Sequence, residues 1–97
     1  MPAPRFEWNA RKDAENQRKH GVSFEEARTV FADEYALLLD DPDHSGGEER
    51  FILLGLSARF RVLVLVHAYR EPEDTIRIIS ARKATRRERQ QYDARWH

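Results

Sequence analysis

Residues 50–81 read RFILLGLSARFRVLVLVHAYREPEDTIRIISA, and this stretch decides the fold. RFILLGLS (50–57) and RVLVLVHAYR (61–70) are dominated by Ile, Leu and Val in runs of strand length, and the short join around Ser57 to Phe60 closes them into a hairpin. Phe60 takes a place in that turn that would suit Gly, so the turn is expected either to be longer or to present an aromatic side chain. A second turn, Glu71 to Asp74 with Pro72, leads to TIRIISA (75–81), which alternates in part and returns as a third long strand. The aliphatic residues of these strands are core and call for no cofactor.

Working upstream, YALLLDD (35–41) reads as a further strand, set off by the turn chemistry of DPDHSGGEE (41–49). Ser23 with Glu26 three residues on is a capping-box pattern, and Phe24, Ala27, Val30 and Phe31 recur at helical spacing, predicting a helix over 24–32. Before it, Asn9 caps ARKDAENQRKH (10–20), a nearly all-polar helix that ends at Gly21 and leans on the domain through Ala10, Ala14 and its Lys and Arg stems. RFEW (5–8) has the period of a short strand. Downstream, Thr85 and Glu88 form a second capping box and open a helix over RRERQQYDARW (86–96). The order is strand, helix, helix, four strands, helix. It predicts an α+β domain, a mostly antiparallel sheet packed with two N-terminal helices and a C-terminal helix, with residues 1–4 and 96–97 fraying.

With 97 residues the chain supports one small domain, 1–97, and no enclosed cavity for a large cofactor. The absence of Cys excludes disulfides and thiolate metal knuckles, and MPAPRFEW lacks the apolar run of a signal peptide or membrane span, so a cytoplasmic setting is expected. Seventeen basic residues balance seventeen acidic ones, yet the charge is sorted. Residues 25–49 carry one positive and nine negative side chains, whereas 76–97 carry seven and two. The basic end suits phosphate or an acidic partner, and the acidic middle suits a basic one.

RKHGVSFEEA (18–27), VFAD (30–33), DDPDHSGGEERFILLGLS (40–57) and IRIISARKATRRERQQY (76–92) together resemble the BrnT ribonuclease toxins of bacterial type II toxin–antitoxin systems. The resemblance runs from Phe6 to about Tyr92. It implies a RelE-like fold, RNA cleavage without a metal, and neutralisation by a BrnA-like antitoxin with a ribbon-helix-helix DNA-binding domain. DNA is then met only through the antitoxin, and a dimeric antitoxin would recruit two toxin copies in a 2:2 assembly.

Metal-free cleavage uses the ribose 2′-OH as nucleophile, so the protein must supply a base, an acid and positive charge for the transition state. Arg77 and Arg82 offer planar forks for phosphate oxygens and are the first choice for charge stabilisation; both also read as surface arginines at a basic strand end. His67 falls on the same side of its strand as Leu63 and Leu65, either a proton carrier or a hydrogen-bonded core residue. Lys19 is a candidate base through its place in the resemblance. His20 either contacts RNA or complements the negative end of its helix. Arg86, Arg89 and Tyr92 share a helix face that combines phosphate-binding charge with a ring able to stack on a base; the same face can meet an antitoxin. Trp8 is a core anchor or a second stacking ring. The loop Asp40, Asp41, Asp43, His44 and Glu48 has the wrong spacing for a calcium loop and reads as turn chemistry, so no metal is assigned. The leading expectation is a metal-independent endoribonuclease toxin. The rival is a module of the same fold that has lost cleavage and only holds an antitoxin and tunes its DNA binding.

Overall fold

The computed structural model describes residues 4–42, 48–70 and 74–96. Strand β1 (Arg5–Glu7) leads to helix α1 (Ala10–His20), helix α2 (Phe24–Arg28) with a 3-10 turn over Thr29–Ala32, and strands β2 (Leu37–Asp40), β3 (Phe51–Leu56), β4 (Val62–Arg70) and β5 (Thr75–Lys83). Helix α3 (Arg86–Asp93) and a last 3-10 turn follow. The five strands form one sheet in the order β1-β5-β4-β3-β2. Three of the four pairings are antiparallel, while β1 runs parallel to β5, so the sheet is mixed. The α+β class and the element order agree with the sequence reading. Most of its expected turn at 71–74, much of the 41–49 loop, and residues 1–3 and 97 of the ends it expected to fray lie outside the described residues.

The caps form as the side chains dictate. Asn9 accepts from the Arg11 and Lys12 amides, Gly21 takes the left-handed C-cap at φ 69°, and Thr85 with Glu88 closes a complete capping box on α3. The Ser23–Glu26 pattern closes only on one side: Ser23 Oγ accepts from the Glu26 amide, but the Glu26 carboxylate reaches across to Ser57 and Arg61 instead.

One sheet face carries the main core. Val22, Phe24, Ala27 and Val30 pack there on Leu53, Leu63, Leu65, Ile78 and Ala81, all buried. The 3-10 turn presses so closely on β3 that a Cβ on Gly55 would stand 2.8 Å from Val30 Cγ1 and Ala36 Cβ. On the opposite face α3 buries Tyr92 against Leu54 and Val64 and covers only part of the sheet. Asp33 ties the layers together, accepting from the Leu56 amide at 2.8 Å and from the Tyr92 hydroxyl at 2.7 Å. Burial pushes its carboxyl up, and the hydrogen bonds from Leu56, Tyr92 and Tyr35 more than offset that, leaving it below its ordinary value.

Helix α1 is held differently from the expectation. Ala10 and Ala14 are exposed, and its buried side chain is Asn16. Strand β1 pairs with only the first three residues of β5, which leaves a bare edge farther on. Asn16 fills that edge: its Nδ2 donates to the carbonyls of Ala81 (2.7 Å) and Val22 (2.8 Å), and its Oδ1 accepts from the Ala81 amide at 3.1 Å. The side chain thus substitutes for a neighbouring strand.

The partial alternation of TIRIISA also has a structural cause. Opposite β4, Val66 pairs with Ser80 but His67 pairs with Ile78, so Ile79 is an extra residue in β5. The bulge reverses the inward and outward alternation. Ile78 and Ala81, an odd number apart, both enter the main core, and Arg77 and Arg82 both lie on the α3 side, opposite Ala68 and Val64.

Candidate nucleic-acid interface

The part of the sheet that α3 leaves uncovered forms a shallow cleft lined by His20, Asp41, Ile52, Val64, Val66, Ser80 and Arg82. His20 reaches it because α1 runs along the β5 edge and ends there, with Asn16 pinned at Ala81, next to Arg82. Lys19, one residue earlier, is exposed in the same last turn. A strand carbon skeleton with one guanidinium, one imidazole and one carboxylate at its rim has the donor, proton-transfer and acceptor types that phosphodiester chemistry uses.

Arg82 is engaged. Its Nη1 and Nη2 donate to the two Glu88 carboxylate oxygens at 2.8 and 2.9 Å, the bidentate geometry a phosphate would also take. The pair raises the Arg82 pKa, and Arg82 together with the Thr85 cap holds the Glu88 carboxyl at about 2. A carboxylate that acidic accepts protons poorly at neutral pH, which argues against Glu88 as a base. The Arg82 side chain is nevertheless 42% exposed.

Arg77 shares the face but not the cleft. Its β4 partner Ala68 lies four residues from Val64, roughly 13 Å along the strand. Arg77 is ion-paired with Glu48 and lines a separate recess with Glu7, Trp8, Asn9, Lys12 and Arg70. The two guanidiniums therefore stand side by side on one surface and do not close on one phosphate.

Three other residues singled out from the sequence lie elsewhere. His67 is fully buried on the main-core face, ringed by Phe31, Phe51 and Tyr69, with Nε2 3.3 Å from the Tyr69 hydroxyl. Facing away from Arg77 and Arg82, it cannot meet an RNA bound over them. Tyr92 is 2% exposed with its hydroxyl committed to Asp33, and Trp8 packs edge-on against Phe24 in the core layer. The Tyr92 ring is not presented for stacking, whereas Trp8 is partly buried and lines the Arg77 recess, away from the Arg82 cleft. Arg86 and Arg89 are exposed on α3. Of the acidic loop, Asp43 and His44 lie outside the described residues, and Glu48 is paired with Arg77.

Burial lowers the His67 pKa to about 4. Its ordinary value is 6.5, so between pH 6.5 and 4 the unfolded chain binds a proton that the folded chain refuses. Stability conferred by the neutral ring is intact above that window and declines through it, at about 1.4 kcal/mol per pH unit. Urea unfolding at several pH values should show this slope in the wild type and a shallower one in His67→Gln. Equal slopes would mean the ring titrates alike in both states.

What sequence inspection missed is Asn16; Phe60, which it placed in the turn, does stand outward, at φ 63° and 84% exposed. The signal for Phe60 was the turn position itself.

Curated proteins offer no significant match to the chain. Among the described residues no helix is long and apolar enough to cross a membrane. The family model described as "Ribonuclease toxin, BrnT, of type II toxin-antitoxin system" matches residues 8–88, a span that includes α1, the whole uncovered sheet face and the capping box of α3. The chain belongs to the BrnT family of ribonuclease toxins of type II toxin–antitoxin systems.

Proposed function

We propose that this chain is a metal-independent, RelE-like endoribonuclease that cuts RNA at the cleft beneath Arg82. The observation that carries the reading is the meeting of Arg82 and His20 over the uncovered sheet face. RNA phosphate exchanges with the Glu88 carboxylate on the Arg82 fork, a swap of one bidentate anion for another. The 2′-OH attacks the adjacent phosphorus, its proton passes to His20 or Asp41, and the 5′ oxygen leaves protonated by the partner group. Arg82 stabilises the charge on the phosphorane-like transition state. Arg77, Arg86 and Arg89 hold flanking phosphates, and Lys19 lies beside the entry to the cleft. His67 is a packing residue in this scheme. The activity is cytoplasmic and is neutralised by a BrnA-like ribbon-helix-helix antitoxin, which brings the toxin to DNA and, as a dimer, gathers a 2:2 assembly.

Purified chain incubated with RNA and a chelator should yield fragments ending in 2′,3′-cyclic phosphate. Intact RNA after that incubation, with cleavage restored by a divalent cation, would replace this chemistry by a metal-dependent one. A second reading draws on the internal pairing of both forks, Arg82 with Glu88 and Arg77 with Glu48. In it the chain is a non-cleaving module that holds an antitoxin and tunes its DNA binding, and RNA stays intact with or without metal.

A further inference from the structure

The turn between β3 and β4 is built with more care than a solvent loop requires. Ser57 and Arg61 close it through a 2.8 Å backbone bond, the Phe60 amide donates to the Ser57 carbonyl at 2.9 Å, and Phe60 takes the left-handed conformation. A three-residue connection ending in a left-handed residue normally has Gly there, because a Cβ is disfavoured. The turn is braced from beneath. Ser57 Oγ donates to Glu26 at 2.7 Å, Arg61 Nε donates to Glu26 at 3.0 Å, and the Ala58 amide donates to Thr29 Oγ1 at 2.8 Å. Arg61 holds the Glu26 carboxyl below its ordinary range even against burial.

The braced, strained residue is thus a large aromatic that buries almost nothing. Phe60 is the most exposed large hydrophobic side chain among the described residues. It forms one wall of an open recess completed by Arg61, Val62, Lys83, Ala84 and Arg89. Val62 in the floor of this recess and Val64 in the Arg82 cleft are alternate residues of β4, about 7 Å apart on the same sheet face. An aromatic ring next to two cations, adjoining a phosphate-binding cleft, is the pairing of stacking platform and charge by which proteins hold single-stranded nucleic acid. Strain retained at an exposed position points to use of that side chain.

We propose that Phe60 is a base-stacking anchor for single-stranded RNA, with Lys83 and Arg89 meeting the phosphate beside the stacked base. The inference rests on the ribonuclease reading and extends it: the substrate is unpaired next to the scissile bond, since a base within a duplex has no free face to offer. Tyr92 is buried and Trp8 lies in the separate recess with Arg77, whereas Phe60 adjoins the Arg82 cleft.

The test uses the full chain and a short, fluorescently labelled 2′-O-methyl RNA of mixed sequence, which binds but cannot be cut. Anisotropy titrations compare wild type, Phe60→Gly and Phe60→Trp, with a duplex of the same sequence as a second probe. Phe60→Gly should lose about tenfold in affinity for the single strand, Phe60→Trp should stay within about threefold, and the duplex should bind more weakly than the strand. The Tm of Phe60→Gly should hold or rise, because glycine relieves the turn. Equal affinity of wild type and Phe60→Gly would overturn the anchor, as would a wild type that ignores the single strand. A loss by Phe60→Gly accompanied by a fall in Tm, with Phe60→Trp equally weakened, would also overturn it by making the residue structural. Cleavage of unmodified RNA is scored separately. Intact cleavage with no Phe60 dependence removes the anchor alone, and Phe60-dependent binding without cleavage removes the ribonuclease reading alone.

Discussion

Replacing Arg82 by Gln should lower RNA cleavage by about 10²–10³-fold while leaving a folded protein, the loss typical of removing one transition-state hydrogen-bond donor. The guanidinium is the cation that lines the cleft on its β5 side, and its planar fork is already set for a two-oxygen anion by its geometry with Glu88. Arg82→Lys should recover little, since an ammonium cannot span two oxygens. Glu88→Gln provides the opposite sign: with the competing carboxylate neutralised, phosphate meets a freer fork and affinity for RNA should increase. Single-turnover cleavage of a labelled RNA by the three variants, alongside their thermal melts, separates these effects. Cleavage by Arg82→Gln within about threefold of wild type would take Arg82 out of the chemistry and leave it as a tie between β5 and α3.

Asn16→Ala should be the most destabilising of the simple helix substitutions, by about 3 kcal/mol, or a fall in Tm of roughly 12–24 °C. Truncation leaves the Ala81 amide, the Ala81 carbonyl and the Val22 carbonyl without their partner in a buried setting. The effect should spread beyond stability, because the same contact fixes the end of α1 that carries His20 to the cleft. Urea titration reports the first consequence, and the cleavage rate of the folded fraction reports the second. An unchanged midpoint would show that water replaces the side chain along the β5 edge at no cost.

Much of this fold is written in local signals. Apolar runs of strand length placed β3 and β4, cap chemistry at Asn9, Ser23 and Thr85 started three helices, and the order of elements identified the α+β class. What was not legible depends on partners distant in sequence. Parallel pairing of β1 with β5 joins residues some seventy positions apart, and no periodicity within RFEW carries that information. The buried Asn16 sits in a helix whose composition is polar throughout, so its inward turn cannot be told from solvation. For the site, side-chain type was informative and environment was not. Arg82 and His20 share the cleft, but the carboxylates on Arg77 and Arg82 arrive from a loop and a helix. His67 was read correctly as lying with Leu63 and Leu65, and that same placement is what encloses it. Tyr92 follows Arg89 by one helical turn, yet α3 rotates its ring into the second core while Arg89 remains outside.

The supernumerary Ile79 governs which way the distal half of β5 faces. Keeping that residue but ironing out its bulge would impose strict alternation on the whole strand, and everything after it would rotate by half a turn about the strand axis. Ala81 would be driven into solvent and the guanidinium of Arg82 into the aliphatic interior, with Lys83 taking its former outlook. A chimera or homology transfer that treats this strand as regular would accordingly assemble a protein with its anion receptor inside out, although no substitution had been made.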